Sequence, residues 1–184
     1  MSSTLSSLTP YFEAMKATLR EKFIELGIDF PTIELLDDQE FGELETPALL
    51  IAVDELGENK APPSDGSYPE TLNIAVLCIL SSEPVNDSSP AMEVINLASL
   101  VKRFVRREKW GLRDKVFMPK EIEAFPAGGK KGPKGYRVWQ VNFLQEIKLG
   151  EPAMNEEAFM CTGVYFGVNP ENDDDYRYIG EINE

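Results

Sequence analysis

Histidine is absent from the 184-residue chain, and only two cysteines occur, Cys78 and Cys161. The first absence removes the commonest general base, the usual zinc ligand, and every Ser-His or Cys-His nucleophile pair. The second excludes a disulfide framework. The two thiols stand far apart in sequence within apolar segments, as buried reduced cysteines do. No apolar run approaches the ~18 residues that a membrane span requires. Met1 to Pro10 lacks the basic start and apolar middle of a signal peptide, so synthesis and retention in the cytoplasm are expected. Positive charge is also scarce, with 18 Lys and Arg against 32 Asp and Glu, a net charge of −14.

The few cations are not scattered. Twelve of the 18 fall between Lys102 and Arg137, where they face four acids for a net of +8, and the rest of the chain carries −22. A surface so divided is built to meet a charged partner: nucleic acid, an acidic protein, or another copy of itself. Nucleic acid is disfavoured, because a chain at −14 repels the polyanion at long range and carries no recognised binding motif. The neighbours of Trp139 also suggest core packing, not the exposed platform that single-stranded binding requires. The apolar share of 42%, with 10% aromatics, suits one globular domain over residues 1–184, able to bury roughly 70% of its unfolded surface.

Leu5, Leu8, Phe12, Met15, Leu19 and Leu26 recur at helical spacing, which predicts a helix from Pro10 to Leu26 with Thr9 as cap and Gly27 as stop. Residues 1–9 extend the helix, form a loose apolar arm that needs a partner, or pack as a first turn on the chain's own core. Thr32 to Leu36 and Ala48 to Val53 read as short strands, separated by the acidic loop Asp37 to Glu45. Glu55 to Glu70, with Pro62, Pro63, Gly66 and Pro69, has no apolar period and reads as a long loop of the kind that reaches a neighbour in an assembly. Thr71 to Leu80 is apolar on both faces after Asn73, the pattern of a central strand. After Ser89-Pro90, Ile95, Leu97, Ala98, Val101, Phe104 and Val105 form the apolar face of a second helix. It ends in Lys102, Arg103, Arg106, Arg107 and Lys109, more cations than complementing the helix dipole requires. Phe117 to Phe125 reads as an edge strand, Pro126 to Gly135 as a basic loop containing Lys130, Lys131 and Lys134, and Tyr136 to Ile147 as a long strand with one apolar face. The expected fold is α+β, a mostly antiparallel sheet with two main helices packed on it and long loops.

Three segments bear on chemistry. Gly128 to Gly135 crowds glycine and lysine as phosphate loops do, but Lys131-Gly132-Pro133 leads into a strand where a Walker motif opens a helix. Glu146-Ile147-Lys148 matches the acid-x-Lys of Mg²⁺-dependent nucleases, with Glu121 or Glu123 as second carboxylate. The Pro-Asp that opens that motif is missing, and Glu146 and Lys148 equally fit the polar side of an amphipathic strand. Asn169 to Asp175 is carboxylate-dense, but it lacks the central Gly and closing Glu of an EF-hand, so a weak cation site is the most it supports. No cofactor and no enzymatic activity are expected.

Tyr136-Arg-Val-Trp-Gln-Val-Asn-Phe, Leu149-Gly150, Gly163-Val-Tyr-Phe-Gly-Val-Asn-Pro and Asp174-Asp175-Tyr176 together resemble the tail terminator proteins of Mu-like contractile phages and related tail-derived particles. The motifs cover Tyr136 to Tyr178; the N-terminal half agrees in layout alone. The run Pro170 to Asp175 departs from the pattern in being richer in Asp and poorer in Gly. The resemblance implies a structural protein forming a hexameric ring at the head-proximal end of the tail tube. There it would stop tube and sheath growth and offer a surface to the neck, with DNA only in transit through the lumen. Its partners would be itself, tube, sheath and neck proteins, and its location the virion tail after synthesis in the bacterial host. Another head–tail connector or neck protein is the nearest alternative. On this reading the subunit and partner interface falls on Lys102, Arg103, Arg106, Arg107, Lys109, Lys130, Lys131, Lys134, Asp173, Asp174 and Asp175.

Overall fold

The computed structural model of the chain describes residues 4–30, 32–36, 44–58, 68–83, 89–128, 135–149, 164–166 and 177–180. Two compact units result, Met1–Pro152 and Ala153–Glu184. In the first, helices α1 (Thr9–Glu25) and α2 (Pro90–Val105) accompany a five-stranded sheet. Its strands are β1 (Thr32–Leu35), β2 (Ala48–Glu58), β3 (Tyr68–Ser81), β4 (Lys120–Pro126) and β5 (Tyr136–Leu149), in the order β1-β2-β3-β5-β4. Only β1 and β2 run parallel; every other pair is antiparallel. The fold is therefore α+β with a mostly antiparallel sheet. Among the described residues of the second unit, β6 (Val164–Phe166) pairs antiparallel with β7 (Arg177–Gly180).

The apolar run of β3 puts it at the centre, where it pairs with β5 without interruption from Tyr68↔Leu149 to Ser81↔Tyr136. One side chain set of β3 (Leu72, Ile74, Val76, Cys78) joins Leu49, Ile51, Val141, Phe143 and Ile147 beneath both helices. The helices contribute Tyr11, Phe12, Met15, Leu19 and Phe23 from α1 and Val94, Ala98, Val101 and Val105 from α2. On the opposite face Ala48, Leu50 and Ile79 form a smaller cluster, closed by Leu36, Leu44, Leu77, Tyr136 and Val138. Tyr136 holds that cover in place, its hydroxyl accepting from the Leu44 amide at 2.9 Å.

Several boundaries differ from expectation, each for a physical reason. Leu8, not Thr9, is the N-cap of α1, and neither it nor Ser89 at α2 makes a side-chain capping bond. Leu26 is 52% exposed, whereas Phe23 is buried and stacks on Phe30 (4.3 Å between centroids) and edge-on to Phe104 (5.1 Å). The helical register thus passes the apolar stripe to Phe23 before the chain turns away. Leu5 is buried and its amide donates to the Lys148 carbonyl at 2.8 Å, so Thr4–Leu8 packs on the chain's own sheet. Strands β2 and β3 extend through Glu58 and back to Tyr68, so both ends of the expected 55–70 loop are strand; residues 59–67 lie outside the described residues. On the β2 side of this end of the ladder Glu55 and Leu56 are hydrogen-bonded but exposed, although Leu72, opposite Leu56, is buried, so this part of β2 carries no hydrophobic period.

Candidate interaction site

The last two turns of α2 and the start of β4 form the walls of an open groove of about 600 Å³. Ser99, Lys102, Arg103 and Arg106 line one wall, Pro119, Glu121 and Ile122 the other. Helical geometry makes the cationic wall, because residues three and four apart share a face and Val101 and Val105 face the core instead. Lys102, Arg103 and Arg106 are all exposed, and none forms an ion pair among the described residues. Like charges at i and i+4, as in Lys102 and Arg106, destabilise a helix by about 0.2–0.5 kcal/mol. The helix dipole offsets part of that for the two cations of the last turn.

The other wall is shaped by a β-bulge. Register between β4 and β5 shifts between Lys120 and Glu123, and Glu121 takes a left-handed backbone at φ 51°. That conformation costs a non-glycine residue of order 1–3 kcal/mol, and the bulge brings Glu121 to a groove whose opposite wall carries three cations. Below the groove the chain leaving α2 is firmly held. Glu108 accepts from the amides of Lys109 (3.2 Å) and Trp110 (3.1 Å) and pairs with Lys22 of α1 (3.1 Å). Trp110 and Gly111 then turn through left-handed φ values of 55° and 71°.

Gln145 locks this turn to the sheet. It is the one polar side chain at the buried end of the apolar face of β5, and all of its hydrogen-bonding capacity is used. Its Oε1 accepts from the Tyr11 hydroxyl at 2.5 Å and the Trp110 indole at 2.8 Å, and its Nε2 donates to the carbonyls of Glu108 at 3.0 Å and Phe117 at 2.7 Å. Burial pushes the Tyr11 phenol strongly up, against a smaller lowering by the bond with Trp110, so it stays neutral. The sequence signal for this cluster was a single amide within an alternating apolar strand face; its partners come from three distant segments and were not visible.

Of the proposed interface residues, the structure brings Lys102, Arg103 and Arg106 together on the groove. Arg107 and Lys109 follow the helix and do not line it. Lys130, Lys131, Lys134, Asp173, Asp174 and Asp175 lie outside the described residues, as does the Asn169–Asp175 segment. Ser99, Pro119, Glu121 and Ile122 were not singled out from sequence, since only the packing of β4 beside α2 assembles them. Glu146 forms an ion pair with Lys120 across β4 and β5 at 2.5 Å. Among the described residues no three His, Cys, Asp or Glu side chains stand where they would jointly hold a metal ion, and no helix is long and apolar enough to cross a membrane.

The class that these features define is an α+β domain with a cationic groove on an acidic body. Compared with protein-family models and with curated proteins, the chain gives no significant match to either.

Proposed function

We propose that the chain is a structural protein that assembles with itself into a ring, a tail terminator at the head-proximal end of a contractile tail tube. In this role it ends tube and sheath polymerisation and offers the joining surface to the neck. The observation that carries the reading is the separation of charge on one fold. A groove with three cations that form no ion pair among the described residues sits on a chain of net charge −14, which suits head-to-tail contacts in which one patch meets a different patch on the next copy. An acidic remainder also suits a channel wall, because a cationic lining would retain passing DNA. The sequence resemblance of Tyr136 to Tyr178 supplies the particular assembly. The test is to polymerise tail tube protein with and without the chain. Shorter tubes bearing the chain at one end are expected; unchanged tube lengths with no bound chain would contradict the proposal.

A further inference from the structure

We propose that the groove between α2 and β4 receives the run Asp173-Asp174-Asp175 of a second copy of the chain. The inference rests on the ring reading for its partner and adds the contact through which neighbours meet. Three cations, Lys102, Arg103 and Arg106, converge on a groove of about 600 Å³ in which, among the described residues, Glu121 is the one carboxylate. The site therefore carries net positive charge on a chain that is otherwise strongly acidic. Its natural ligand is a short, carboxylate-dense peptide: arginine forks bind carboxylates bidentately, and a duplex polyanion would be repelled by the rest of the surface. Asp173 to Asp175 is the chain's one run of three adjacent acids, matching three cations in number. In sequence it falls between β6 and β7, on the connection of a paired unit. Aspartate, with its short side chain, also loses little rotamer freedom when it docks. The left-handed Glu121 then acts as a discriminator, repelling any acidic segment that enters in the wrong register.

The experiment has two arms. A labelled synthetic peptide with the sequence of residues 169–178 is titrated into full-length chain carrying Asp173→Asn, Asp174→Asn and Asp175→Asn, so that its own run does not compete. Saturable binding is expected, weakened about tenfold or more by Arg103→Glu with Arg106→Glu and by raised salt. Binding indifferent to those arginines overturns the proposal. In the second arm, self-association of the otherwise wild-type chain is compared for Arg103→Glu/Arg106→Glu, for Asp174→Lys/Asp175→Lys, and for the two combined. Each reversal alone should loosen assembly and the combination restore it. Arg103 and Arg106 are exposed, outside the core, and Arg103→Gln/Arg106→Gln repeats the test should the reversed variant fail to fold. A ring unaffected by either reversal sinks the groove contact and leaves the ring standing. A chain that never self-associates, yet binds the peptide through Arg103 and Arg106, sinks the ring and leaves the groove's ligand standing.

Discussion

Gln145 shows how one polar side chain can fix a fold that apolar residues alone would leave loosely specified. Its four bonds join α1, the turn after α2 and the approach to β4, and no buried side-chain polar atom among the described residues is left without a partner. Replacing it by leucine strands the Tyr11 hydroxyl, the Trp110 indole and two carbonyls, each costing about 1–3 kcal/mol when unsatisfied. Gln145→Leu should therefore lower stability by about 3 kcal/mol in urea unfolding, and Tyr11→Phe by about 1 kcal/mol. Equal, small losses would mean that water satisfies the cluster. Cys78 is the other buried polar atom of note, its thiol pushed up to about 12 by burial. Because the folded value lies above the unfolded one, its contribution to stability is complete below about pH 8.5 and declines as pH rises toward 12. At pH 8 a Cys161→Ser variant should react with thiol reagents only on unfolding, as labelling followed across a urea titration would show.

Helix α1 ends in a Schellman arrangement. The Gly27 amide donates to the Ile24 carbonyl at 2.9 Å and the Ile28 amide to the Phe23 carbonyl at 3.0 Å, with Gly27 at φ 72°. A Cβ at Gly27 would meet nothing within 4 Å, so Gly27→Ala tests backbone conformation alone and should cost about 1 kcal/mol. A neutral result in thermal unfolding would show that the turn relaxes freely. At this scale the sequence was most readable where burial sets the pattern. The central strand, the apolar face of α2 at Ala98, Val101 and Val105, and the edge position of β4 follow from periodicity and from Pro119. It was least readable where hydrogen bonding continues without burial, as at Glu55 and Leu56 of β2, and where geometry overrides preference, as in the left-handed Glu121. The groove shares that limit: its cationic wall is a single helical stripe visible in sequence, but its second wall arrives from twenty residues downstream through sheet pairing.

For the whole molecule the governing fact is charge, −14 in total with +8 confined to Lys102–Arg137. An assembly held by opposed patches weakens as ions screen them, with a Debye length near 10 Å at 0.1 M salt and 3 Å at 1 M. The most direct test of the account is the mass of the purified chain in solution, measured by light scattering over a range of concentration and salt. A single closed species near six times the 20.6 kDa chain, dissociating as salt rises, is the predicted result. A chain that stays at 20.6 kDa at every concentration and salt, alone and with tail tube protein, would contradict it.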